Sequence, residues 1–144
     1  MQDTLQVVCP NCAMANRVPR ARLGEHPVCG RCKSLLFDGH PPELDAAALD
    51  AQISRSEVPV VVDFWAPWCA PCRTMAPAFS QAARALEPYY RFAKVNTEEQ
   101  QQLAARFSIR SIPTLAVFKN GREIARQAGA MDQATLTRWL QQVA

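Results

Sequence analysis

Along this chain the hydrophobic and polar positions follow two regimes that meet near residue 42. From Glu43 onward, apolar runs alternate with turn residues at the spacing of successive strands and helices. Val58-Pro59-Val60-Val61-Val62-Asp63-Phe64-Trp65 is a continuous β-branched and aromatic run, the mark of a strand buried on both faces of a parallel sheet. Before it, Glu43-Leu44 reads as a short extended piece, and Asp45 can cap a helix over Ala46 to Ile53. After it, Met75, Phe79, Ala82, Ala83 and Leu86 recur at helical spacing from about Cys69 to Glu87, with Pro77 expected to kink the helix. A strand over Phe92 to Asn96, a helix over Glu98 to Phe107 and a strand over Thr114 to Lys119 follow. Asn120-Gly121 suits a two-residue hairpin turn, so Glu123 to Ala128 should return antiparallel, and Gln133 to Val143 closes the chain as an amphipathic helix. The pattern predicts an α/β fold, with a mixed central sheet and helices on both faces.

The first 38 residues behave differently. Their apolar positions are few, and Pro10, Pro19, Pro27, Gly24 and Gly30 break any regular run. A segment this small and this poor in apolar residues needs a staple. Asp38-Gly39-His40-Pro41-Pro42 reads as a stiff connector, because each proline fixes its own backbone and pushes the residue before it toward extended forms. The expected division is a small module over 1–38, a linker over 39–42 and a larger domain over 43–144.

Composition and charge narrow the function classes. The chain is 49% hydrophobic and 20% charged, and no apolar stretch approaches the roughly 20 residues of a membrane span. The opening Met1-Gln2-Asp3-Thr4 lacks the charge-then-apolar order of a secretory signal, so a cytoplasmic protein is expected. The net charge of +3 includes +2 over residues 1–40, from five basic against three acidic side chains. That is too mild to argue a nucleic-acid partner.

All six cysteines fall into three C-x-x-C pairs. Outside an oxidising compartment, such pairs are read as metal ligands or working thiols rather than structural disulfides. Cys9, Cys12, Cys29 and Cys32 form one set, with 16 residues between its two pairs, which suits a four-thiolate structural zinc site. Such a site is closed to catalysis and supplies folding energy that the module lacks.

Trp68-Cys69-Ala70-Pro71-Cys72 has a different context, since it follows a buried strand and opens a helix. Cys69 would lie at the helix N-terminus, where free N–H groups and the macrodipole favour a thiolate, making it the nucleophile. Cys72, one turn on and more buried, would resolve a mixed disulfide formed on Cys69. Asp63 interrupts an apolar strand. If buried there, its carboxyl should titrate high and could act as acid and base for Cys72, with Lys94 a candidate neighbour across the sheet. The competing reading places Asp63 at a sheet edge or satisfied by local backbone. Pro113, in Ile112-Pro113-Thr114, stands at the start of a strand, where base rates favour a trans bond.

Phe64-Trp65-Ala66-Pro67-Trp68-Cys69-Ala70-Pro71-Cys72, Pro77, Ile112-Pro113-Thr114 and Phe118-Lys119-Asn120-Gly121 with Gly129 resemble the thioredoxin family, in order and in spacing, over residues 43–144. With its cysteine-rich front end, the chain is similar to the zinc-carrying bacterial branch of that family. The resemblance implies a thioredoxin fold behind a zinc-ribbon-like module, and a thiol–disulfide oxidoreductase acting on disulfide-containing proteins. It also implies that Cys69 attacks and Cys72 resolves, that Asp63 is the buried acid, and that Pro113 is cis. Trp65, Trp68 and Ile112 would shape the docking surface. Ala70 stands where the family usually has glycine, and Ser111 where many members have glycine.

The chain carries no glycine-rich nucleotide signature, so its electrons must come from a partner. The resemblance identifies that partner as an NADPH-dependent thioredoxin reductase. Two rivals remain at this level: a disulfide oxidase or isomerase, and a module that binds nucleic acid or protein or senses oxidants through its zinc thiolates. Against nucleic acid, Phe37 is the only aromatic residue among the first 40.

Overall fold

The computed structural model describes residues 3–144; Met1 and Gln2, counted in the expected front module, lie outside the described residues. The larger unit is a four-stranded mixed sheet in the order β4-β3-β5-β6, formed by Val60–Trp65 (β3), Arg91–Asn96 (β4), Thr114–Lys119 (β5) and Arg122–Ala128 (β6). β3 pairs in parallel with β4 and antiparallel with β5. The β5–β6 hairpin turns at Asn120-Gly121, both residues holding positive φ as such a turn requires.

Helices cover both faces. Alternation along β3 sends Val60, Val62 and Phe64 to one face, against Leu49 of α1 (Ala46–Arg55) and Leu103 of α3 (Gln101–Arg106). Val61 points to the other face, where Met75 and Phe79 of α2 (Ala70–Leu86) meet Leu136 and Leu140 of α4 (Gln133–Val143). α1 and α4 begin as expected, since the Asp45 and Asp132 carboxylates accept from the Ala48 and Thr135 N–H groups. α2 runs through Pro77 as one element.

The front module contains regular structure despite its prolines. Thr4–Val8 (β1) and Ala15–Pro19 (β2) form an antiparallel pair, followed by a short 3-10 helix over Arg20–Glu25. Leu5, Val7, Val18, Leu23, Leu36 and Phe37 pack with Val58 of the larger unit, so the module shares its small core with the domain behind it. Residues 42–44 then run beside β4: the Lys94 N–H donates to the Pro42 carbonyl at 2.8 Å, and the Leu44 N–H to the Lys94 carbonyl at 2.9 Å.

Candidate active site and metal cluster

β3 ends at Trp65, and a short turn carries the chain to Cys69, the N-cap of α2. The Cys69 side chain accepts the Cys72 N–H at 3.2 Å, so a free donor of the first helical turn is aimed at sulfur. Cys69 and Cys72 form a disulfide, with Cα atoms 5.2 Å apart. Both are buried, Cys72 at 2% exposure and Cys69 at 5%. Pro71 sits in the first turn of α2, where its missing N–H is not needed.

The Ile112–Pro113 bond is cis, and the Ile112 carbonyl oxygen lies 3.7 Å from Cys69 Sγ. Trp68, two-thirds exposed, lines a shallow groove of about 290 Å³ with Ile112, Ile109, Arg110 and Ser111, next to the disulfide. Trp65 occupies a different position. It packs half-buried against the Ala66, Cys69 and Cys72 cluster, with Lys94 Nζ 4.2 Å from its ring centroid.

Asp63 lies in a central strand, not at an edge. It is 1% exposed, its Oδ1 has no hydrogen-bond partner, and alternation places it on the α2 face of the sheet with Val61. Burial pushes its carboxyl up to about 7, with Lys94 opposing and Glu43 reinforcing. Lys94 is its register partner across β3 and β4. The sequence reading passed over Glu43. That residue bridges to Lys94 through the backbone, and partial desolvation raises its carboxyl, with Lys94 opposing. The buried Trp65 indole N–H lies beside it without completing a hydrogen bond. A charged residue flanking the Pro41-Pro42 step was the one available signal, and it reads as an ordinary surface position.

The other four cysteines converge at the far end of the module's hairpin, their sulfurs all within 4.8 Å of one another. Two loops of the same design carry them. In the first, the Cys9 N–H donates to the Met14 carbonyl and the Ala13 N–H to the Cys9 carbonyl; in the second, Cys29 and Lys33 repeat this with Ser34 and Cys29. Ala13 and Lys33 both take φ of 66°, the left-handed region that non-glycine residues seldom enter. The Asn11 and Arg31 N–H groups donate to Cys9 and Cys29 Sγ at 3.3 and 3.4 Å.

Tetrahedral zinc with bonds of about 2.3 Å places its sulfurs roughly 3.8 Å apart. The Cys9–Cys32 and Cys12–Cys29 pairs stand at 3.6 Å, so the donor set fits. Donors to sulfur also favour thiolates. Ser34 and Asn11 side chains bring Cys32 down to about 5, and the Cys32 N–H brings Cys29 down to about 7, while burial pushes Cys9 up. His26 and His40 are exposed and stand outside the cluster.

A family model described as thioredoxin matches residues 40–142, and one described as the N-terminal part of thioredoxin 2 matches residues 8–34. The chain belongs to the thioredoxin family. Thioredoxin C-3 of Corynebacterium nephridii is 44% identical over 136 residues, covering 94% of this chain and 93% of that protein, so the likeness reaches into the front module. Thioredoxin 1 of Nostoc sp. is 46% identical over 90 residues, 62% of this chain and 84% of that protein. The X-ray structure of Fasciola hepatica thioredoxin is similar at a TM-score of 0.65 and 32% identity, covering 72% of this chain and 99% of that one.

The expected thioredoxin fold and the N-terminal zinc-ribbon family are thereby borne out. This thioredoxin is a thiol–disulfide oxidoreductase with a redox-active Cys69–Cys72 pair and a zinc-ribbon-family cluster of four cysteines. As a family, thioredoxins act on disulfide-containing proteins and are served by thioredoxin reductases. Among the described residues no helix is long and apolar enough to cross a membrane. Phe37, the module's lone aromatic ring, is buried beneath the Arg91 guanidinium at 4.3 Å and presents no face on which a base could stack.

Proposed function

We propose that this thioredoxin reduces disulfides of cytosolic proteins, with Cys69 attacking and Cys72 resolving. The placement of Cys69 Sγ carries the reading: it caps α2, accepts the Cys72 N–H, and faces the Ile112 carbonyl beside the Trp68 groove. The Cys69 thiolate attacks one sulfur of the substrate disulfide, forming a mixed disulfide and expelling the other sulfur as a thiolate. Cys72 loses its proton to Asp63 and attacks Cys69. This forms the Cys69–Cys72 disulfide and releases the second substrate thiolate, which takes up a proton. Two electrons have then passed to the substrate. An NADPH-dependent thioredoxin reductase returns them.

Trp68 and Ile112 hold the substrate chain against the groove, and Pro113 fixes the backbone beside it. Trp65, packed beside the two cysteines, helps shape that docking surface. The chain divides into a metal module over 1–38, a connector over 39–42 and the catalytic domain over 43–144. The metal is zinc, held by Cys9, Cys12, Cys29 and Cys32, and it supplies folding energy to the module.

The Cys72→Ser variant tests the order of attack. It should accumulate protein adducts on Cys69 that a dithiol releases, and a variant that traps nothing would reverse the roles. Direction is tested by the equilibrium potential of the pair. A result near about −270 mV, the established figure for thioredoxin itself, supports a reductase, whereas one near about −120 mV, that of a strong periplasmic oxidant, marks an oxidase.

A further inference from the structure

Arg91 opens β4 and is 1% exposed, and the ligand Cys9 is among the groups that act on its charge. Its Nη2 donates to two carbonyls of the front module: Val8, the residue before the first ligand Cys9, at 3.2 Å, and Leu36, four residues after the last ligand Cys32. The guanidinium therefore grips the module on both sides of its cluster. Its plane covers the Phe37 ring, and Nη1 lies 3.9 Å from Glu87 Oε2 at the end of α2.

The Glu87 side chain is buried as well, and it completes the clasp from the other side. One carboxylate oxygen accepts the Phe92 N–H of β4 at 3.1 Å, and the other accepts the Gly39 N–H of the connector at 3.2 Å. Gly39 holds φ at +77°, and a Cβ there would meet Arg84 Cγ at 2.9 Å, so glycine lets the connector come this close to α2. Burial disfavours both charges, lowering Arg91 and raising Glu87, and each partner opposes the other's shift. Gln52 of α1 holds the same Val8 carbonyl at 3.0 Å, so that atom is fully satisfied only when the module is docked on the sheet.

We propose that Arg91 is a positioning residue that couples metal binding in the front module to the stability of the catalytic domain. Arg91 Nε already lacks a partner, so the rest of the Arg91–Glu87 pair depends on Val8, Leu36 and Gly39 holding their places. Metal loss loosens the loops that hold the first two, and it leaves a buried guanidinium short of acceptors at the start of β4. Lys94, the register partner of Asp63, lies three residues further along the same strand. The coupling is reciprocal: what the metal gives the domain, the docked domain gives to metal affinity. The inference rests on reading the four cysteines as a metal site, which stoichiometric metal in the purified full chain tests separately.

The decisive experiment titrates zinc in the full-length protein against a competing chelator, alongside thermal unfolding with and without chelator. Arg91→Met should bind zinc about tenfold more weakly than the parent. Chelation should lower the melting temperature of the parent's catalytic domain and leave that of Arg91→Met unmoved, while zinc-loaded Arg91→Met still reduces a small disulfide. Arg91→Lys, which keeps the charge but loses the fork, should fall between the two. Equal zinc affinity in parent and variant, or an equal chelator-induced shift in both, would overturn the proposal. Should Arg91→Met not fold, amide exchange in the parent decides. Faster exchange over residues 91–94 after chelation supports the coupling, and unchanged exchange refutes it.

Discussion

Two kinds of C-x-x-C stand in one chain with identical spacing and opposite chemistry. After Cys69 the chain continues as a helix, so the Cys72 N–H points at the Cys69 sulfur and the two sulfurs of one motif bond to each other. After Cys12 and Cys32 the chain instead turns left-handed, at Ala13 and Lys33. Each sulfur then has a sulfur of the other motif 3.6 Å away, Cys9 facing Cys32 and Cys12 facing Cys29. Spacing supplies two thiols; the backbone beyond the second one decides whether they react together or share a metal. A helix N-terminus stabilises one thiolate for attack, whereas two facing loops gather four thiolates that only a cation can hold together.

The sharpest break in this comparison should come from one cysteine of each kind. Cys69→Ser should abolish disulfide reduction while leaving metal content unchanged. Cys12→Ser should lose the metal yet keep reducing a model disulfide when assayed below its melting temperature. Activity and metal content measured on both variants check the separation, and a Cys12→Ser enzyme as dead as Cys69→Ser would show that the two sites are one functional unit.

Next in size is metal removal. Structural zinc sites in small modules contribute roughly 10–16 kcal/mol of apparent binding free energy near neutral pH. Stripping the metal should therefore melt residues 4–37 while the four-stranded sheet persists. The amide spectrum would report this as collapsed dispersion for Leu5, Val7 and Val18 but not for Val61 or Val117.

Asp63 sharpens the catalytic half. Its folded carboxyl titrates at about 7 against an ordinary value of 3.8, so the folded state holds the proton more tightly than the unfolded chain. Stability should then fall as pH rises from about 4 through about 7. Asp63→Asn removes this slope, and at about 1.4 kcal/mol per pH unit it should gain up to about 4 kcal/mol above pH 7 and nothing below pH 4. The same variant should resolve mixed disulfides more slowly at neutral pH. Denaturant unfolding at several pH values reads the first effect, and single-turnover kinetics the second.

The smallest effect probes the metal loops. Ala13→Gly relieves the left-handed strain, worth roughly 1–2 kcal/mol, but returns part of it as chain entropy in the unfolded state. A gain of at most about 1 kcal/mol in metal-dependent stability is expected by chelator titration. A loss would mean that the Ala13 methyl contributes packing that outweighs its backbone cost.

Most of the larger domain was legible because Val60–Trp65 and Thr114–Lys119 are mainly apolar, the Asn120-Gly121 turn marks the hairpin, and helices open on Asp45, Cys69 and Asp132. Thr114–Lys119 and Gln133–Val143 match their expected bounds, and the other elements fall within about three residues of theirs. The β1–β2 hairpin was missed because its five-residue strands, the second ending on Pro19, carry too short an alternation to stand out. The two cysteine sets were readable from context, since one follows a strand and the other does not. The cis bond at Pro113 was not readable from residues alone and entered through family resemblance. Neither the Asp63–Lys94 register nor the half-buried Trp65 follows from spacing, because both depend on where β4 docks. Arg91 was the least legible. An arginine just ahead of a predicted strand reads as solvent-facing, and its burial is created by Val8, Leu36 and Phe37, all more than fifty positions upstream.

β4 lies at the border of the sheet, and its outer rim is occupied by the chain's own residues 42–44 through the Lys94 amide and carbonyl. A shortened catalytic domain that begins at the first helix would lack that cover and present a bare strand containing Phe92, Ala93 and Val95. Such a rim is a template for pairing with a second chain. The segment joining the two units thus also keeps the protein from adding strands to itself, and trimming the front of this thioredoxin to obtain a minimal enzyme would be expected to lower its solubility before it lowered its activity.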